Sequence, residues 1–207
     1  MKSVMSIFTV ATAAVSLLLS WSCKKDEDTL TSQQTSIVRY LESSHQPRLM
    51  SEENAHMSLD ENPEYYTNYG NETYRYIATM YDAGRDRRTL VEEGDLVSIY
   101  FNAYVFAYSS LANVMPYWSN RAEIIEAMEE VGGGLNPEFW SSEPLVLRAG
   151  SGDVIPGVSR ALAGCRDGDE VEVYMTYAGA YGSGIVGLVP KESPVAWLFT
   201  IAGVDKQ

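Results

Sequence analysis

The chain has 207 residues, a formal net charge of −13 and an aromatic share of 11%, with 14 Tyr and 4 Trp. That length supports one domain with a real core plus extra segments, and so acidic a chain repels phosphate backbones, which excludes nucleic acid as an expected partner. Two His and two Cys show no metal-ligand spacing, so neither a metal nor a cofactor is expected.

Residues 1–22 read as a leader rather than as part of the fold. Lys2 gives a weak positive start, Val4 to Leu19 is apolar and uncharged, and Ser20, Trp21 and Ser22 lead into Cys23. The apolar run is short for a membrane span. The arrangement resembles a lipoprotein signal peptide, which implies that Cys23 is lipidated and becomes the first mature residue; a plain secretory signal or an N-terminal anchor helix is the other reading of the same residues. Lys24, Lys25, Asp26, Glu27 and Asp28 follow, similar to the acidic export signals of Bacteroidetes surface lipoproteins. The implied address is the cell envelope, with the protein lipid-anchored to the outer membrane, either periplasmic or surface-exposed. Cys165 is then the one free thiol, and no intrachain disulfide can form.

Residues 24–35 are polar and read as a linker, and 36–44 as a short helix with Ile37, Val38 and Leu41 on one side. Residues 45–64 read as irregular; the whole of 23–71 is thus a linker with one short helix. Glu72 to Tyr81 has strand composition, and Leu96 to Phe106 alternates with Val97, Ile99, Phe101, Ala103 and Val105 on one face. Arg121 to Val131 reads as a helix with Asn120 at its N-cap, stopped by Gly132, Gly133 and Gly134. Pro144 to Ala149 is a short strand, and Pro156 to Ala163 a short helix burying Val158, Ala161 and Leu162. Asp169 to Tyr177 and Val195 to Val204 alternate again, with a Gly-rich loop between them. The sum is an α+β domain over 72–207: an antiparallel sheet wrapped on a short helix, with a helical insertion at about 107–142.

Several segments stand in an order that carries more information than any one of them. Val154-Ile155-Pro156-Gly157 is followed by Leu162-Ala163-Gly164-Cys165, Gly168-Asp169-Glu170, Ala180-Tyr181-Gly182, Leu188-Val189-Pro190 and a closing apolar strand. This pattern resembles the FKBP-type peptidyl-prolyl isomerases, closely over 143–204 and loosely over 72–120. The resemblance implies a cis-trans isomerase, or rotamase, that assists the folding of exported, proline-containing polypeptides and needs no cofactor. It implies Tyr181 and Ile155 as catalytic residues, through a hydroxyl and a backbone N–H. It places Phe101, Tyr117, Leu145, Val154, Val158, Val189 and Trp197 around the substrate. Where the family has Trp on the pocket floor this chain has Val158, its Phe-Asp pair becomes Tyr117-Trp118, an aromatic becomes Leu145, and the Phe of the last strand becomes Trp197.

Two other readings come from the residues themselves. A non-catalytic binding module would present Tyr117, Trp118, Phe139 and Trp140 to a protein or peptide, and exposed aromatics also suit glycan stacking. Gly182 to Gly187 formally matches G-x-G-x-x-G, but Pro190 follows before any helix can start, so a dinucleotide site is rejected.

Overall fold

The computed structural model describes residues 27–132 and 134–207. Cys23 and the segment read as a leader lie outside the described residues. The elements begin with helix α1 over residues 27–43, then β1 (Met50–Ser51), α2 (Glu52–His56), β2 (Tyr65–Tyr69), β3 (Thr73–Ile77) and β4 (Leu96–Val105). They continue with β5 (Trp118–Ser119), α3 (Ala122–Glu130), β6 (Leu145–Arg148), α4 (Pro156–Leu162), β7 (Glu170–Met175) and β8 (Val195–Asp205). The eight strands form one sheet in the order β1-β2-β3-β7-β8-β4-β5, with β6 also on β4. All pairings are antiparallel except β1 with β2. The outer edge of β4 is shared: β6 pairs its first half at Leu96 to Ile99, and β5 its second half at Asn102 and Ala103.

The period-two alternation of β4, β7 and β8 builds the inner face. Val97, Ile99, Phe101 and Ala103 meet Val171, Val173 and Met175, and Val195, Trp197, Phe199 and Ile201, around the buried face of α4. α4 begins with Pro156, whose missing N–H is one the first turn cannot pair anyway. It lies close to the sheet because Gly157 has no side chain: a Cβ there would sit 2.4 Å from the Met175 sulfur and 2.7 Å from Thr73 Oγ1. Arg75 of β3 closes its far end, donating to the Ala161 and Ala163 carbonyls at 3.0 and 2.6 Å. Cys165 is fully buried, donates to the Ala161 carbonyl, and has its thiol pushed up to about 11 by burial, which makes it packing rather than a nucleophile.

The outer face carries a second core. Ile37, Tyr40 and Leu41 of α1 pack on Tyr66, Tyr74, Tyr76, Phe106 and Tyr174. Buried tyrosines need partners for their hydroxyls. Tyr66 donates to Glu42 and Tyr76 to Glu64, each at 2.9 Å, and Tyr174 donates to Glu172. This is where the high Tyr count goes.

Four local readings are corrected. Residues 27–35, read as linker, are the first described turns of α1. The stretch 45–64, read as irregular, contains β1 and α2, and α2 has Ser51 as a hydrogen-bonding N-cap. Tyr65–Tyr69, read as part of the 23–71 linker, is a full strand of the sheet. Asn120 is not the cap of α3; Arg121 holds that position, and Asn120 instead clips β4. It accepts from the Phe101 N–H at 2.7 Å and donates to the Ile99 and Glu143 carbonyls at 2.9 and 3.0 Å. Buried backbone groups between split edge strands outcompete a helix end that solvent can serve.

Candidate active site

Three strands, one helix and three loops bring the side chains named from sequence into the inner core or to its edge. The small, fully buried Ala103 of β4 faces Trp118 on one side and Trp197 on the other. Both indoles can therefore approach each other, with ring centres 5.6 Å apart at 86°. Phe101, two residues earlier on the same face, stacks on Trp197 at 4.5 Å and 10° and meets the edge of Trp118 at 4.7 Å. Tyr117 is fixed by its N–H donating to the Ala103 carbonyl at 2.8 Å. Its hydroxyl accepts from Trp197 Nε1–H at 2.8 Å and lies 3.1 Å from the hydroxyl of Tyr181.

Phe101, Val158, Val189 and Trp197 are buried in the inner core, and Tyr117, Leu145, Val154, Ile155 and Tyr181 are partly buried against it. All nine residues named from sequence thus lie in the inner core or against it, together with most other apolar residues of that face; the direct contacts join Phe101, Tyr117, Tyr181 and Trp197. Trp197 is fully buried, so the aromatic bulk absent at Val158 stands on the last strand.

Two hydrogen-bond donors stand out. The Ile155 N–H has no partner among the described residues, while the Ile155 carbonyl accepts from Val158 and Ser159 as α4 begins. Tyr181 is the other. Burial raises its pKa, partly offset by its bond with Tyr117, so it keeps its proton at neutral pH. Tyr181 sits beyond the short turn Tyr177–Gly179, which is held against β3 because Gly179 leaves no room for a side chain: a Cβ would be 2.7 Å from the Glu72 carbonyl. The Gly-rich loop after Tyr181 folds back through paired bonds between Val186 and Val189, which bury Val189 and leave Ile185 and Leu188 exposed. It contains no helix, in keeping with the rejection of a dinucleotide site.

Sequence reasoning missed two parts of this arrangement. One is Gln33, buried on α1, whose amide accepts from the Tyr177 N–H at 2.9 Å and donates to the Glu192 carbonyl at 2.7 Å. The other is the use made of Trp118, whose indole N–H donates to the Phe139 carbonyl at 2.7 Å and pins the segment after α3. Among the described residues no group of three His, Cys, Asp or Glu side chains is placed to hold a metal.

The sheet wrapped around one short helix defines the fold class. Residues 120–201 match the family model of the FKBP-type peptidyl-prolyl cis-trans isomerases. That span takes in Leu145, Val154, Ile155, Val158, Tyr181, Val189 and Trp197, and leaves Phe101 and Tyr117 upstream. The three FKBP domains of wheat FKBP73 are similar in structure, with a TM-score of 0.50 at 15% identity over 70% of this chain and 52% of that one. The chain thus aligns with about half the length of that protein. No curated protein matches the sequence. The fold is FKBP-like, and residues 120–201 are similar to the FKBP-type family.

Proposed function

We propose that this domain binds Xaa-Pro segments and accelerates their cis-trans isomerisation. The observation that carries the reading is the unpartnered Ile155 N–H beside the same apolar cluster that holds the Tyr181 hydroxyl. A prolyl bond turns over in tens of seconds or longer, because amide resonance sets a barrier of about 18–20 kcal/mol. Rotation breaks that resonance, returns the lone pair to the prolyl nitrogen and leaves a less polar, ketone-like carbonyl. A water-poor apolar site strips the water that favours the planar amide, and fixed donors placed for the rotated carbonyl hold it there rather than in the planar position. No acid, base or covalent step is required, which suits a site made of aliphatic and aromatic side chains.

The same reading gives the protein an exported setting. The uncharged apolar run Val4 to Leu19 before Cys23 supports a lipid anchor, with the domain acting on polypeptides of the envelope. Labelled fatty acid incorporated into the wild-type chain and lost in Cys23→Ser would support the anchor; equal labelling would exclude it.

A second reading, peptide binding without turnover, is favoured by the closed floor at Trp197 and Val158 and by exposed Phe139 beside Trp118. A protease-coupled assay on Xaa-Pro peptides separates the two. Turnover reduced by Tyr181→Phe supports the isomerase, whereas binding with the uncatalysed rate supports the second reading.

A further inference from the structure

The hydrogen bonds that link Trp197, Tyr117 and Tyr181 have a direction, and the direction matters. An indole N–H is a donor only, so Trp197 gives its proton to the Tyr117 oxygen at 2.8 Å. Its ring is fully buried and stacked on Phe101, so that N–H is fixed in orientation and has no water to turn to. Tyr117 then holds one proton of its own. The only other partner its hydroxyl has among the described residues is the Tyr181 oxygen, 3.1 Å away. If Tyr181 donated to Tyr117, the Tyr117 proton would be left without a protein partner on the side chain that already takes the buried indole. If Tyr117 donates to Tyr181, both bonds are made, and the proton left over is that of Tyr181, which like Tyr117 is partly buried.

We propose that Tyr117 is a positioning residue: it takes the Trp197 proton, gives its own to Tyr181, and so turns the Tyr181 O–H outward toward a bound carbonyl oxygen. This rests on the reading of Tyr181 as the donor to substrate. Each accepted bond also polarises the next O–H, so Tyr181 donates more strongly than a lone phenol does. Burial drives the Tyr117 pKa far up, so its proton stays in the chain at any physiological pH. The device belongs to this sequence rather than to the pattern it resembles, because the Phe which that pattern places at position 197 has no N–H to start the chain.

The test uses the full chain with Tyr117→Phe, Trp197→Phe, Tyr181→Phe and the double variant Tyr117→Phe/Trp197→Phe, which leaves no indole N–H unpaired. The first readout needs no turnover: tyrosine labelled at Cζ reports the titration of Tyr181 by NMR. Loss of a donor destabilises the Tyr181 phenolate, so Tyr117→Phe and the double variant should raise its pKa. A lower or unmoved value overturns the proposal. In the isomerase assay Tyr117→Phe should lower kcat/KM about fivefold, the worth of roughly one hydrogen bond. Adding it to Tyr181→Phe should cost nothing more, because both act through one hydroxyl. Losses that multiply would instead mark Tyr117 as independent of Tyr181 and overturn the proposal. A wild-type chain with no turnover would sink the isomerase reading, while the titration would still decide the direction of the chain.

Discussion

Gln33 and Glu192, 159 positions apart, are joined by a 2.7 Å hydrogen bond from the Gln33 amide to the Glu192 backbone carbonyl. The other end of the same amide accepts from the Tyr177 N–H. One buried side chain of α1 thereby holds both stretches that flank the site: the turn leading to Tyr181 and the loop between Val189 and β8. Glu192 has φ 53°, an unfavourable value for a side-chain-bearing residue, so its loop depends on such outside support. Gln33→Ala should destabilise the fold by about 1–3 kcal/mol. It should also raise the Kd for a proline peptide, read by chemical denaturation and by titration. Unchanged peptide affinity in a folded variant would show that α1 does not support the site.

Ile155→Pro removes one candidate donor and exchanges one partly buried apolar side chain against the inner core for another. Ile155 has φ −53° and ψ 144°, close to what proline and a residue before Pro156 adopt, and its N–H has no partner among the described residues. Thermal stability should therefore stay within about 1 kcal/mol of wild type, while turnover falls about tenfold, the equivalent of about 1.4 kcal/mol of transition-state stabilisation. Full activity in the folded variant would remove Ile155 from the mechanism.

Gly157→Ala tests the contact that seats α4 on the sheet. The new methyl would meet the Met175 sulfur and Thr73 Oγ1, both on side chains with no exposed surface to retreat into. Overpacking of this kind costs about 1–3 kcal/mol. The melting temperature should fall, and shortening the obstacle with Met175→Ala in the same chain should recover part of the loss.

His45 predicts a pH dependence of stability. It is buried between Tyr40, Tyr76 and Tyr174, donates toward Glu172 at 2.9 Å, and has the Pro47 carbonyl at its other nitrogen, with Glu64 nearby. Burial alone would lower its pKa, but the hydrogen bond and charge of Glu172 outweigh it, and the net shift is upward from 6.5. A raised folded-state value means that its contribution is fully present below about 6.5 and is lost as pH rises through the higher value. Denaturation midpoints should decline over that window, and His45→Gln should flatten the decline. An unchanged slope in His45→Gln would assign the dependence elsewhere.

The inner face was legible because β4, β7 and β8 are long, alternate strictly and end in turn residues. Val97, Ile99, Phe101 and Ala103 lie where that period puts them. α4 was legible from Pro156 and the spacing of Val158, Ala161 and Leu162. β2 was not, because Tyr65–Tyr69 is polar in part and buries only Tyr66 deeply, against an outer core that α1 creates. The start of α1 was hidden too: Thr29, Thr31, Ser32 and Thr35 have weak helix preference, and the tertiary anchors Gln33, Ile37 and Leu41 override it. The nine residues assigned to the site by the resemblance lie in or against the inner core, and nothing in their spacing shows that the Trp197 N–H donates to Tyr117. That contact depends on strand register, with Ala103 standing opposite Trp197 and accepting from the Tyr117 N–H.

The central claim is that the half-exposed layer at Tyr181 and Ile155 lowers the barrier to prolyl rotation. Its most direct test is NMR exchange between the cis and trans forms of Xaa-Pro peptides, measured with and without catalytic amounts of the full chain. The account predicts exchange well above the uncatalysed rate for at least one residue type before proline, cut about tenfold or more by Tyr181→Phe. Exchange equal to the uncatalysed rate across all residue types before proline would contradict it.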